Sequence, residues 1–214
     1  TQKVAVLGTG KIGEALLSGM IGAGWAPADL LVTARRPERA DELRARHGVT
    51  PVTNAEAAKN ADTLILTVKP QDMGTLLDEL APHVPADRLI ISGAAGVPTS
   101  FFEERLAPGT PVVRVMTNTP ALVDEAMSVV SAGTHATEAH LAHADEIFGA
   151  VGKTLRVEAG AHLAAIDKVL SSYCPSSSEE KGRPFALDFA HPTMTNSCRR
   201  VHFTLTQSFV RRPR

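Results

Sequence analysis

Two kinds of hydrophobic run alternate along the first three quarters of the chain. Short, near-continuous apolar runs stand at residues 4–7, 29–34, 49–53, 62–68, 88–92, 111–116, 126–130 and 153–157, each bounded by Gly, Pro, Asn or charged residues. Between them the apolar positions recur at helical spacing. Ile12, Leu16, Met20 and Ala23 share one face, as do Met73, Leu76, Leu77 and Leu80, and Leu141, Ala144, Phe148 and Val151. A charged helix from Pro37 to about Gly48 begins with proline where helix entry tolerates it, Asn54 can cap the helix after it, and another helix is expected around residues 101–106. Strands that are apolar without strict alternation are covered on both faces. Strand and helix in turn predict an α/β fold with a doubly wound, mainly parallel sheet.

Beyond Val157 the pattern changes. Residues 161–170 suit one more helix, with Leu163, Ile166, Val169 and Leu170 inward, but no long helical period follows. Both cysteines, the single tyrosine and four of the seven phenylalanines lie in residues 171–214, where seven Lys/Arg face three Asp/Glu; residues 1–170 hold fifteen against twenty. These shifts place a boundary near residue 158, giving a domain over 1–157 and a partly irregular segment over 158–214. The whole chain of 214 residues is 43% hydrophobic with a formal net charge of −1, so neither nucleic acid nor an anionic membrane is an expected partner. With no long apolar run, and a strand directly after Thr1-Gln2-Lys3, a cytoplasmic protein is expected. Cys174 and Cys198 are expected to be reduced thiols.

The strand exits carry the candidate chemistry. Gly8-Thr9-Gly10-Lys11-Ile12-Gly13 follows an apolar strand and opens a helix. In that setting Gly8 permits a sharp turn, Gly10 lets backbone approach a pyrophosphate, and Gly13 lets the helix lie close on the sheet, a Rossmann-type arrangement. The helix start adds free N–H groups and a positive dipole end. After the second strand the chain offers Thr33-Ala34-Arg35-Arg36 and no acid. A carboxylate there would accept from a ribose 2′-hydroxyl, whereas guanidinium suits a 2′-phosphate, so NADP(H) is favoured over NAD(H). Asn54 serves equally as an adenosine contact or a helix cap. Lys69 is the stronger lysine candidate and Lys11 the weaker. His140 and His143 are expected to be surface residues of a charged helix, and Cys174, His191, Cys198 and His202 match no standard zinc spacing, so no metal is expected.

Four motifs in order, Gly8 to Gly13, Val68-Lys69-Pro70-Gln71, Ser92-Gly93-Ala94-Ala95-Gly96 and Arg114-Val115-Met116-Thr117-Asn118-Thr119-Pro120-Ala121, resemble pyrroline-5-carboxylate reductase over residues 3 to about 157. The resemblance implies NADPH-dependent reduction of 1-pyrroline-5-carboxylate to L-proline. It implies cofactor contacts from Gly8, Thr9, Gly10, Lys11, Ile12 and Gly13, from Ala34, Arg35 and Arg36, and from Asn54, Val68, Lys69 and Pro70. Ala94, Ala95, Gly96 and Asn118 are implied around the nicotinamide end. The family usually has Pro where Thr117 stands and Gly where Ala126 stands, so a reshaped nicotinamide pocket is expected.

In the family a helical dimerisation domain follows, opening with a loop that holds the substrate carboxylate; residues 167–176 do not match it. The segment from about 158 is therefore expected to be a replaced or frame-shifted end, and the family's homo-oligomer to be weakened or lost. No residue is assigned a catalytic role. Three readings stay open: a reductase of the cyclic imine carboxylate whose activity depends on an atypical tail, a non-catalytic NADP-binding protein, and a short deazaflavin-dependent NADP reductase.

Overall fold

The structure is a computed structural model that describes residues 2–157. The segment 158–214, with the helix expected at 161–170 and Cys174, His191, Cys198 and His202, lies outside the described residues. Eight strands form one sheet: β1 (Val4–Leu7), β2 (Leu30–Thr33), β3 (Thr50–Pro51), β4 (Thr63–Leu66), β5 (Leu89–Ser92), β6 (Val112–Thr117), β7 (Ala126–Ala132) and β8 (Gly152–Val157). Their order is β3-β2-β1-β4-β5-β6-β7-β8, and every neighbouring pair is parallel except β6 with β7. Six helices accompany them: α1 (Lys11–Gly22), α2 (Pro37–His47), α3 (Asn54–Asn60), α4 (Met73–Leu80), α5 (Thr99–Glu103) and α6 (Glu138–Gly149).

Period-two geometry sorts the strand residues into two cores. Val4, Val6, Leu30, Val32, Ile65 and Ile91 face Leu16, Leu17 and Met20 of α1, Leu43 of α2, and Ala144, Ile147 and Phe148 of α6. Ala5, Leu7, Leu31, Leu64, Leu66 and Ile90 face the other way, onto Ala57 and Ala58 of α3, Met73, Leu76, Leu77 and Leu80 of α4, and Phe102 of α5. β1, β2, β4 and β5 are buried at every position, as strands covered on both faces must be.

Helix boundaries follow local chemistry. Pro37 starts α2, and Gly48 ends it in the left-handed conformation (φ 69°). The cap of α3 is Thr53, not Asn54: Thr53 Oγ1 accepts from the Glu56 amide at 3.2 Å, and Glu56 accepts from the Thr53 amide at 2.8 Å. That is a reciprocal capping box. The expected faces of α1 and α6 pack on the first core, with Ile12 and Leu141 at its partly buried margin and Ala23 outside it. Ile12 is only half-buried and Ala23 is exposed, while Gly13, Leu16, Leu17 and Met20 are buried. In α6 Leu141 is half-buried and Ile147 takes the central place; Val151 is buried but lies past the helix end. His140 and His143 are half-buried, not surface, residues. His140 accepts from the Thr137 amide at 3.1 Å to cap α6, and the His143 ring lies 5.9 Å from that of Trp25. Burial, then the charge of His143, lowers the His140 pKa.

A charge cluster fastens α1 to α2. Glu14, in the first turn of α1, accepts from Arg39 at 2.5 Å and Arg46 at 2.6 Å and lies 3.3 Å from His47. The Arg39 hydrogen bond, followed by that of His47, outweighs the opposing effect of burial and holds the Glu14 carboxyl at about 2 instead of 4.5. A depressed carboxyl pKa stabilises the fold fully above pH 4.5, and that contribution drains away as the pH falls from 4.5 toward 2. Glu14→Gln is therefore expected to cost about 1–3 kcal/mol at pH 7. Thermal unfolding compared at pH 7, 4 and 3 should show the gap to the unaltered chain closing; a gap constant across that range would overturn the assignment.

Candidate functional site

Strands β1 and β4 are adjacent in the sheet but lead in opposite directions through it, which opens a crevice beyond their carboxyl ends. The turn leaving β1 fills the floor of that crevice. Gly8 has φ 77°, and a Cβ there would stand 2.3 Å from Val68 Cγ1, so both backbone and space demand glycine. At Gly13 a Cβ would meet Thr67 Oγ1 at 2.8 Å, because α1 starts against the exit of β4. At Gly10, by contrast, a Cβ would find only the Gly8 carbonyl, at 3.8 Å, and the residue is exposed toward the cleft.

Two threonines pin this turn. Thr33, ending β2, accepts from the Gly8 amide through its hydroxyl at 3.3 Å and from the Thr9 amide through its carbonyl at 3.2 Å. Thr67, just past β4, donates its hydroxyl toward the carbonyls of Leu7 and Gly8 at 3.0 and 3.1 Å. Helix α1 then opens at Gly10 without a side-chain cap. Its first-turn N–H groups have no intrahelical acceptor by the geometry of any helix start, and they carry the positive end of the dipole.

A cleft of about 620 Å³ lies over the turn. Gly8, Thr9 and Gly10 line it from the first turn, and Thr33, Ala34, Arg35, Arg36 and Arg39 from the β2–α2 connection. Val52, Thr53 and Asn54 contribute from the entry to α3. Thr67, Val68, Lys69, Asp72, Thr75, Leu76 and Glu79 contribute from the β4–α4 arm. Nine of the residues singled out in the sequence thus meet in one cleft: Gly8, Thr9, Gly10, Ala34, Arg35, Arg36, Asn54, Val68 and Lys69.

The others stand outside its lining. Lys11, Ile12 and Gly13 form the first turn of α1, and Pro70 begins a short 3₁₀ turn beyond Lys69. Ala94 is buried, and Ala95 and Gly96 are exposed, after β5. Asn118 is buried after β6, where its Oδ1 accepts from the Met127 amide at 3.0 Å. The flanking Thr117 accepts at 2.9 Å from the Ser128 hydroxyl, so the hydroxyl that distinguishes it from proline is used inside the β6–β7 pair. Ala126 backbone lies so close to Gly152 that a Cβ on the latter would stand 2.2 Å from the Ala126 carbonyl oxygen.

Arg39 was missed by motif reasoning. It lies two residues beyond Pro37, on the first turn of α2, and reaches back to the Thr9 carbonyl at 3.4 Å while held by Glu14 and by Glu42 at 3.1 Å. The Glu14 hydrogen bond raises its pKa. Arg35 forms an ion pair with Asp72 across the cleft, and Asn54 Nδ2 donates to Glu79 at 2.9 Å. Arg36 and Lys69 are exposed at the rim. Among the described residues no cluster of His, Cys, Asp and Glu could hold a metal ion, and no helix is long and apolar enough to cross a membrane. The geometry suits an elongated ligand with a diphosphate at the α1 start and a further phosphate near Arg35 and Arg36.

A family model described as "NADP oxidoreductase coenzyme F420-dependent" matches residues 3–96. A pyrroline-5-carboxylate reductase of Corynebacterium melassecola is 40% identical over 158 residues, covering 72% of this chain and 58% of its own. That of Methanosarcina acetivorans is 41% identical over 158 residues, covering 73% and 58%. The solved structure of a pyrroline-5-carboxylate reductase from Coxiella burnetii superposes with a TM-score of 0.78 at 28% identity, covering 81% of this chain and 65% of that one. The chain thus spans little more than half the length of these two curated relatives. Identity of 40–41% over 158 residues exceeds what a common sheet architecture imposes, and over that length the chain is similar to pyrroline-5-carboxylate reductases.

Proposed function

We propose that this chain reduces the cyclic imine carboxylate 1-pyrroline-5-carboxylate to L-proline with NADPH. The observation that carries the reading is a family-type cleft at the sheet's switch point with Arg35 and Arg36, and no acid, at the end of β2. Residues 1–157 are the NADP-binding domain in this proposal, and 158–214 a replacement or remnant of the helical domain. Gly8, Thr9, Gly10, Lys11, Ile12 and Gly13 receive the diphosphate on backbone N–H groups and the helix dipole. Ala34, Arg35 and Arg36 take the 2′-phosphate, and Asn54 the adenosine side. Val68, Lys69 and Pro70 lie along the ribose, with Ala94, Ala95, Gly96 and Asn118 toward the nicotinamide.

NADPH supplies the hydride. The threonine-pinned turn would hold the diphosphate of such a cofactor, and the exits of β4, β5 and β6, adjacent along one sheet edge, would flank its nicotinamide end. Such positioning converts a bimolecular encounter into a reaction at short range. Hydride delivery to carbon is favoured when the imine nitrogen is protonated, and fixing the substrate carboxylate holds the reacting carbon over the ring.

A second reading, a short deazaflavin-dependent NADP reductase, draws on the matching family model described as "NADP oxidoreductase coenzyme F420-dependent". The resemblance of residues 114–121 favours the imine. Following NADPH absorbance with the full chain separates them. Oxidation that depends on pyrroline-5-carboxylate is the expected result. NADP reduction by reduced deazaflavin without imine turnover would establish the second reading, and NADPH binding with neither reaction would leave a non-catalytic NADP-binding protein. For the cofactor itself, Arg35→Ala/Arg36→Ala is expected to weaken NADPH binding about 10- to 100-fold while changing NADH binding little, measured by calorimetric titration. Equal weakening of both dinucleotides would refute the 2′-phosphate assignment.

A further inference from the structure

Two of the polar groups expected to meet the adenosine end, Arg35 and Asn54, already have acidic partners on the opposite wall. Arg35, at the end of β2, pairs with Asp72 on the β4–α4 arm, and Asn54, at the start of α3, donates to Glu79 of α4. All four side chains belong to the lining of the same cleft. The Arg35 side chain is 77% exposed and that of Asp72 36%, so this bridge is wet and readily exchanged. A phosphate monoester dianion carries more charge than a carboxylate and makes strong charge-assisted bonds to guanidinium.

We propose that Asp72 is an internal competitor for the 2′-phosphate: it pairs with Arg35, yields it to a 2′-phosphorylated dinucleotide, and thereby limits the preference for NADPH over NADH. This rests on the NADP reading of the cleft. An incoming NADPH exchanges one Arg35 partner for another and leaves the Asp72 carboxylate facing a like charge. NADH, lacking the phosphate, leaves the Arg35–Asp72 pair intact and incurs neither cost. Asp72 is thus a specificity-determining residue that moderates, and does not create, discrimination. Creating it belongs to Arg35 and Arg36.

The test is calorimetric titration of the full chain with NADPH and with NADH, comparing the unaltered protein, Asp72→Asn and Asp78→Asn. Asp78 is an exposed residue of α4, the helix that follows Asp72, and controls for the loss of one negative charge. Asp72→Asn is expected to tighten NADPH binding by about three- to tenfold, with NADH changed less than about twofold, an effect that shrinks as salt is raised. Asp78→Asn should do neither. No change in NADPH affinity, an equal change for both dinucleotides, or the same gain from Asp78→Asn would overturn the proposal. If the unaltered chain binds neither dinucleotide, the NADP reading fails and this inference with it; if it prefers NADPH but Asp72→Asn leaves that preference unchanged, only this inference fails.

Discussion

The close approach of the first turn to the exit of β4 sets the position of everything at the ligand edge. Gly8 has no room for a Cβ because Val68 stands against it, and Gly13 has little because Thr67 does. The same two residues of the β4 exit therefore decide how far the β1 turn and the α1 start sit from the rest of the cleft. Thr33 completes the clamp from the β2 side through its carbonyl and hydroxyl. A helix start held from both sides presents its N–H groups in a fixed direction, which is what makes a weak dipole site useful to a ligand. Were the turn loose, the dipole field would be averaged over orientations and its benefit reduced.

Charge in the cleft is organised in two tiers with different exchangeability. Glu14, Arg39, Arg46 and His47 form the inner tier: Glu14 and Arg39 are each about one fifth exposed, and the pairing shifts the carboxyl pKa far down. Exchange there would leave a partly buried charge without its partner, so the cluster acts as a fastener between α1 and α2. The outer tier, Arg35 with Asp72, is largely exposed, so exchange of partners there costs little. Position, not residue type, separates an arginine that holds the scaffold from one able to turn to a ligand. Arg39 and Arg35 are four residues apart and fall on opposite sides of that divide.

Much of the fold is legible in the sequence because the sheet is covered on both faces. Continuous apolar runs such as 62–68 and 88–92 mark buried parallel strands, and the Met73, Leu76, Leu77 and Leu80 face is buried as spaced. Where two neighbours compete for one role, pattern decides less. Thr53 and Asn54 both suit a cap, and the deciding signal was Glu56, three residues after Thr53. Within the candidate site, the glycine turn and Arg35-Arg36 were legible since local order along the chain sets them. Arg39, Thr33 and Thr67 were not, since their roles come from how α2, β2 and β4 approach one turn. Asp72 and Glu79 were hidden for the same reason: each acts across the cleft on a partner 37 or 25 residues away.

That last pair bears on how a cleft with several cations survives before any ligand arrives. Arg35, Arg36, Arg39 and Lys69 converge on one space, and a cluster of like charges raises the free energy of the fold. Acids placed nearby remove the repulsion, yet an acid fixed among the cations would repel the phosphates as well. The arrangement here avoids the conflict by geometry. Glu14 neutralises Arg39 from behind, on the α1–α2 side, whereas Asp72 and Glu79 sit on the β4–α4 arm across the opening. Only the charges at the opening need rearrange, and those are the solvated ones, for which partner exchange costs least. Stability of the fold and affinity for a phosphorylated ligand are in this way assigned to different acids.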